Sequence, residues 1–178
     1  MNVPASHRPP FRADHVGSLL RPAPLRQAFR RFHAGELDAA SFRRVQDDSI
    51  RAVVRMQEEA GLKIVTDGEF RRASYWGRFV ERTEGFEIRS AAYKFRDERG
   101  HEMEFTTPYA SAKIRRVREL ALDEFTFLRD VTRVTAKITL PAPSTMHFYA
   151  GRRFADPAVY ADASAFFADL SKVFQQEI

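Results

Sequence analysis

Residues 62–70, with the sequence LKIVTDGEF, join a short β-branched run to a polar turn. The run at 62–66 predicts a strand that is buried on both faces, because strands of this kind occur in parallel sheets covered by helices. The strand ends at Asp67, Gly68 and Glu69. This stretch therefore favours an α/β fold.

The residues before this strand predict two helices. A short candidate strand at 11–16 leads to Gly17 and Ser18, and a helix follows from the prolines at 22 and 24 to about residue 33. Asp38 can cap a second helix, in which apolar residues recur every three or four positions. This amphipathic helix should have roughly 20 residues and stop at Gly61.

The residues after the strand predict an insertion and then further helix and strand. The aromatic segment 70–86 suggests a loop with a short helix, and alternating stretches at 85–110 predict an inserted β-hairpin with its turn at 98–100. A helix at 120–131 and a second buried strand at 136–140 (AKITL) follow.

The last predicted element is a long helix over 156–178, capped by Asp156 with Pro157 at its first position. The alternation of strands and helices implies parallel pairing with right-handed crossovers. A closed (β/α)8 barrel needs about 250 residues, and this sequence has 178. We therefore expect residues 1–178 to form part of such a domain.

Composition excludes several classes of protein. The chain has no cysteine, so it can supply neither a disulfide framework nor a thiolate metal ligand. No apolar run approaches the roughly 20 residues that cross a bilayer, and no signal peptide is evident, which predicts a cytoplasmic protein. The net charge of +5 comes largely from the first 35 residues, which hold six arginines against Asp14 alone. Acidic residues follow at once after the only other dense basic run, at 115–118. This mixed pattern argues against nucleic-acid binding.

Three polar clusters follow predicted strands: HVGS at 15–18, TDGEF at 66–70 and LPAPS at 140–144. The carboxyl ends of parallel barrel strands converge on one active site, so the clusters could share a pocket. Glycine, proline, serine and aspartate are also ordinary loop formers, and this simpler interpretation stays open.

The strongest single candidate in these clusters is Glu69, whose carboxylate could bind a substrate ammonium or act as an acid or base. Gly17 and Ser18 offer groups suited to an anion near a helix start, and Asp67 could instead bond nearby backbone amides. The candidate substrate-binding residues are His15, Val16, Gly17, Ser18, Asp67, Glu69, His147 and Tyr149.

The motifs HVGSLLRP, GLKIVTDGEFRR and KITLPAPS, in this order and spacing, resemble the cobalamin-independent methionine synthase family. The likeness is to the short branch with a single barrel and runs from Arg12 to Ile178. It implies that residues 1–178 are the N-terminal portion of a single (β/α)8 TIM-type barrel, with the hairpin at 85–110 inserted.

The resemblance implies methyl transfer from 5-methyltetrahydrofolate to homocysteine, giving methionine, with a zinc ion that activates the thiol. It places residues 16–18 against the amino-acid part of homocysteine and Glu69 on its ammonium. Tyr149 falls where full-length synthases carry a tryptophan that stacks on folate. The family's zinc ligands lie in the second half of its barrel, so the resemblance implies zinc as the cofactor but neither a metal ligand nor a catalytic residue from this chain.

Two other functions remain open from the sequence. The chain could belong to an enzyme that alkylates a different thiol, because a fold does not fix its substrate. It could also be a fragment or partner subunit without catalysis, whose open sheet edges pair with another chain or with a second copy of itself.

Overall fold

The computed structural model describes residues 15–178, except for the side chain of Phe95. In chain order the elements are α1 (Ala23–His33), α2 (Ala39–Glu59), β1 (Ile64–Val65), α3 (Gly77–Glu81), β2 (Thr83–Ser90), β3 (Phe95–Arg96), β4 (Glu102–Met103), β5 (Thr106–Arg116), α4 (Leu122–Val131), β6 (Thr135–Ala136), α5 (Thr145–Phe148) and α6 (Ala163–Gln175). The strand predicted at 11–16 lies almost wholly outside the described residues.

The chain divides into two compact units. The first unit runs up to Arg71 and resumes over Glu124–Thr139, and the second contains Arg72–Asp123 and Leu140–Ile178. Each unit has its own cluster of buried apolar side chains. None of the described helices is both long and apolar enough to cross a membrane.

The two N-terminal helices, α1 and α2, form where the sequence predicts them. Helix α2 begins after Asp38, whose carboxylate accepts a hydrogen bond from the backbone N–H of Ser41 at 2.8 Å. Such a bond satisfies one of the amide groups left without a partner at a helix start. Gly61 follows the helix with a φ of +83°, a conformation that glycine adopts at low cost.

The parallel strands of the first unit are shorter than the sequence predicts. Strand β1 pairs with β6 in the register Ile64 to Thr135 and Val65 to Ala136. One more ladder bond follows, from the N–H of Lys137 to the carbonyl of Val65 at 2.9 Å. The predicted strand at 62–66 reduces to Ile64 and Val65, and only Ala136 of the strand predicted at 136–140 lies in β6, because strand length depends on the ladder that the partner offers. Residues 136–140 are half-buried, whereas the sequence predicts a buried strand there. Val65 is fully buried in the core of this unit.

The second unit is built on an antiparallel hairpin. Strand β2 pairs with β5 from Thr83 opposite Arg116 to Ser90 opposite Thr106, and β3 pairs with β4 nearer the tip. A bulge interrupts the register at Gly85, where an added Cβ would lie 2.6 Å from the carbonyl oxygen of Lys113. Parallel pairing in one unit and an inserted hairpin in the other confirm the predicted α/β class.

Aromatic side chains fill the core of the second unit. Phe166 is fully buried, and its ring contacts those of Phe86, Phe154 and Tyr160 at centroid distances of 5.0 to 6.4 Å. Tilted and edge-on ring pairs at these distances add stability beyond the area they bury. Helix α6 supplies Phe166 and therefore packs against the hairpin.

The last helix begins at Ala163, six residues later than the predicted first position at Pro157, and ends at Gln175. The carboxylate of Asp156 accepts from the N–H of Ala158 at 2.9 Å, so the predicted cap instead closes a local turn. Asp162 is the actual cap of α6 and accepts from the N–H of Ala165 at 2.9 Å. Because the sequence offers two aspartates that can each cap a turn, the pattern alone did not separate them.

Replacing Asp162 by alanine should lower the free energy of unfolding by about 1 kcal/mol, because it removes the cap of α6. Urea denaturation followed by circular dichroism measures this change. Asp130→Ala is the matched control, since Asp130 is exposed and caps no helix. Equal losses for the two variants would contradict the assigned helix start.

The phenol of Tyr160 links the hairpin to α6. Its oxygen accepts from the N–H of Ile114 at 2.8 Å, and its hydroxyl donates to Asp169 at 3.1 Å. Burial, together with the hydrogen bond to the Asp169 carboxylate, raises the pKa of Tyr160 from 10.0 to about 12.

The free energy of unfolding should therefore fall as the pH rises from 10 to 12. In this range the unfolded chain loses the Tyr160 proton while the folded chain keeps it. Denaturation at several pH values measures the slope of the free energy of unfolding against pH. Tyr160→Phe should make the slope shallower, because it removes the group whose pKa is raised by folding. A Tyr160→Phe slope equal to that of the unmodified chain would contradict this account.

Candidate functional site

Two of the predicted polar clusters lie side by side in the first unit. Ser18 and Gly68 form a parallel β-bridge, and the N–H of Leu19 donates to the carbonyl of Gly68 at 3.1 Å. The Thr66 hydroxyl donates to the carbonyl of Gly17 at 2.6 Å. The HVGS strip and the TDGEF turn are therefore joined by backbone and side-chain bonds.

Helix α2 fixes the end of β1 through the buried side chain of Gln57. Its amide nitrogen donates to the carbonyl of Thr66 at 2.8 Å, and its amide oxygen accepts from the Thr66 N–H at 3.0 Å. The same nitrogen also donates to the carbonyl of Val53 at 3.0 Å. Sequence analysis missed Gln57. The sequence feature that points to Gln57 is its polar side chain on the apolar face of α2, four positions after Val53.

Glu69 occupies a backbone conformation that side chains seldom adopt. Its φ is +59°, the only positive value among the described residues other than glycine, and it follows Gly68 at +70°. A non-glycine residue in this region costs roughly 1–2 kcal/mol, so the surrounding bonds must hold it there. The turn thus directs Glu69 away from the path of an ordinary strand.

Asp67 and Thr139 provide those bonds. The carboxylate of Asp67 accepts from the N–H of Glu69 at 2.9 Å, which is the structural role that the sequence left open for Asp67. The hydroxyl of Thr139 donates to Oε1 of Glu69 at 2.7 Å. The Glu69 side chain is almost fully buried and is held in position by both its backbone and its carboxylate.

Thr139 also touches the first cluster. A Cβ added to Gly17 would lie only 2.2 Å from Cγ2 of Thr139, so no larger residue fits at position 17 without movement. Thr139 therefore lies between Gly17 and Glu69. Sequence analysis placed it inside a buried strand and did not select it. The sequence feature that points to Thr139 is its hydroxyl side chain, directly before the LPAPS cluster.

The other residues of the HVGS strip differ in exposure. The carbonyl of His15 accepts a hydrogen bond from Nζ of Lys137, which connects the backbone at His15 to the segment after β6. Val16 is 86% exposed, and Ser18 is exposed as well. The strip thus presents Val16 and Ser18 to solvent beside the turn that holds Glu69.

His147 and Tyr149 belong to the second unit. The ring of His147 packs against those of Phe154 and Phe167 at centroid distances of 4.6 and 5.7 Å. The hydroxyl of Tyr75 donates to that of Tyr149 at 3.3 Å, and burial together with this bond raises the pKa of Tyr75 to about 12. Trp76 is buried in the core of this unit.

Most of the chain matches a known protein family. Residues 11–158 match the sequence profile of the cobalamin-independent synthase catalytic domain. The chain belongs to the cobalamin-independent methionine synthase family. The motifs that carried the resemblance, together with the Ser18 to Gly68 bridge, all lie within the matched residues.

Relatives of the methionine synthase family cover almost the whole chain. Protein YxjH of Bacillus subtilis is 34% identical over 95% of this chain and 44% of its own length. The methionine synthase of Sulfolobus acidocaldarius is 29% identical over 92% of this chain and 45% of its own length. This chain therefore spans about half the length of the relatives it matches.

A solved structure supports the assigned fold. The Listeria monocytogenes protein described as a vitamin-B12-independent methionine synthase shares 32% identity and a TM-score of 0.73. The likeness covers 95% of this chain and 47% of the Listeria chain. The predicted partial (β/α)8 TIM-type barrel is thus confirmed, because the described sheets are open and the structural relative has the family's barrel fold.

Methionine synthases of this family generally depend on zinc, and the residues of this chain do not fit that ion. The sequence contains no cysteine. Across residues 15–178, no three His, Asp or Glu side chains are grouped so that they could hold a metal.

Proposed function

We propose that this chain supplies the amino-acid-binding part of an enzyme that transfers a methyl group from 5-methyltetrahydrofolate to homocysteine. The observation that carries the proposal is the parallel bridge between Ser18 and Gly68, which sets the turn with Glu69 beside the HVGS strip. Membership of the methionine synthase family supports this choice of reaction.

Glu69 is the proposed partner of the homocysteine ammonium. Its carboxylate is almost fully buried and is oriented by Thr139 at 2.7 Å. An ammonium that pairs with a carboxylate in such a place gains a charge-assisted hydrogen bond, which is stronger than a neutral one. Asp67 acts beside it by holding the N–H of Glu69 at 2.9 Å.

The HVGS strip is the proposed partner of the homocysteine carboxylate. Ser18 is exposed and can donate its hydroxyl, and the absence of a side chain at Gly17 lets the strip lie against Thr139. Val16 is exposed beside them, and His15 fastens the strip to Lys137. Together these residues would bind both charged ends of one amino acid.

Two further assignments are part of the proposal. In the second unit, we propose Tyr149 as a contact for the methyl donor and His147 as a contact for substrate. We assign the zinc ion to residues that this chain does not contain. The cytoplasmic location and pairing with a second copy or a partner chain remain predictions, and light scattering tests pairing, because a mass of 20.5 kDa indicates a monomer.

Calorimetric titration of the chain with a panel of thiols tests the substrate class. We expect homocysteine to bind at least about tenfold more tightly than 3-mercaptopropionate or 2-mercaptoethanol, because only homocysteine carries both charged groups of an amino acid. The chain has no cysteine, so mixed disulfides with the protein cannot disturb the titration. Tighter binding of another thiol would favour the alternative of alkyl transfer to that thiol, and equal weak binding would contradict amino-acid recognition.

A further inference from the structure

The second unit contains a cavity that the proposed function does not use. It has a volume of about 750 Å³, and its walls come from the end of β2, from β5 and from residues 150–157. Volumes of roughly 300–1,000 Å³ are typical of sites for small molecules. The cavity is therefore large enough to bind a small ligand.

The charges that line this cavity are all positive. Arg89, Arg152 and Arg153 line it, and none of its other lining residues is acidic. Arg89 is partly neutralised, because its guanidinium bonds to Glu87 at 2.9 Å and lies 3.4 Å from the centre of the Tyr109 ring. The cavity thus keeps an excess of positive charge even when Glu87 is counted.

Arg152 and Arg153 account for that excess. Both are exposed, and neither side chain makes a hydrogen bond or an ion pair with any residue in the described part of the chain. They are consecutive in the short 3₁₀ turn Gly151–Arg153, so their charges repel each other. An anion bound by both would reduce this repulsion.

We propose that this cavity binds a small anion that carries phosphate groups. A guanidinium donates through a planar fork that matches the oxygens of phosphate, and several forks favour a ligand with several anionic oxygens. The other lining residues are uncharged, and most of them have small side chains, including Ala92, Ala150 and Pro157. Such walls leave room for the uncharged body of a phosphate ester.

Isothermal titration of the full chain with inorganic pyrophosphate at low ionic strength tests this site. The double variant Arg152→Gln/Arg153→Gln should bind pyrophosphate at least about tenfold more weakly, because it loses two charge-assisted contacts. The matched control is Arg99→Gln/Arg118→Gln, which removes two exposed arginines of the same unit that do not line the cavity. The affinity of this control for pyrophosphate should stay within about twofold of that of the unmodified chain, because distant exposed charges are largely screened by salt.

A third variant tests the cavity without changing its charge. Ala92→Trp places a large ring in the space and should also weaken pyrophosphate binding at least about tenfold by filling a site of this size. Any of three results would overturn the proposal: no binding by the unmodified chain at millimolar pyrophosphate, unchanged binding by the Arg152 and Arg153 variant, or an equal loss in the control. The readout is direct binding, so the outcome does not depend on methyl transfer.

Discussion

Replacing Glu69 by alanine is expected to lower the affinity of the chain for homocysteine at least about 30-fold. Removing one partner of a buried, hydrogen-bonded charge pair costs about 2–5 kcal/mol, and Glu69 is almost fully buried beside Thr139. The homocysteine ammonium would lose its carboxylate partner. Calorimetric titration of the variant and the unmodified chain measures the change.

Two further variants separate loss of charge from loss of fold. Glu69→Gln keeps the size of the side chain and can still accept from the Thr139 hydroxyl, so it should fold normally and lose most of the affinity. Glu36→Ala removes an exposed carboxylate of the same unit and should bind homocysteine as the unmodified chain does. If Glu69→Gln retained full affinity, the carboxylate would have no part in recognition.

Replacing Gly17 by alanine is expected to lower the free energy of unfolding by about 2–6 kcal/mol. The new Cβ would lie 2.2 Å from Cγ2 of Thr139, and its φ of +155° is one that side chains seldom adopt. Overpacking costs about 1–3 kcal/mol, and a strained backbone adds a similar amount. Urea denaturation measures the loss, and homocysteine titration should show weaker binding because Thr139 moves away from Glu69.

The contact with Thr139 can be tested by removing only its methyl group. Thr139→Ser keeps the hydroxyl that donates to Glu69 and deletes the atom that an alanine at position 17 would strike. The double variant Gly17→Ala/Thr139→Ser should therefore regain part of the lost stability and affinity. A double variant as unstable as Gly17→Ala alone would show that the contact is not the cause.

The helices of the first unit could be predicted because their signals are local. Asp38 caps α2 and Gly61 follows its end, and the apolar spacing between them fixes the buried face. The start of α6 could not be predicted in the same way. Asp156 and Asp162 both have the chemistry of a cap, and the contact of Tyr160 with Ile114 and Asp169 belongs to the tertiary structure.

In the candidate site, too, residues with local sequence signals could be predicted and residues that act through tertiary contacts could not. Gly17, Ser18 and Glu69 stand in short motifs that follow strands, so the sequence could single them out. Gln57 and Thr139 act on the same turn from 9 to 70 residues away in the chain. Their roles depend on which backbone atoms the fold brings within hydrogen-bond distance, and no local pattern encodes that pairing.

The central claim is that the carboxylate of Glu69 recognises the amino group of an amino acid held beside Gly17 and Ser18. The most direct test is to titrate the unmodified chain and Glu69→Gln with homocysteine and with 4-mercaptobutyrate, which lacks only the amino group. We expect the unmodified chain to prefer homocysteine at least about tenfold and Glu69→Gln to show almost no preference, because the charge pair is absent. A preference of equal size in both proteins would contradict the claim.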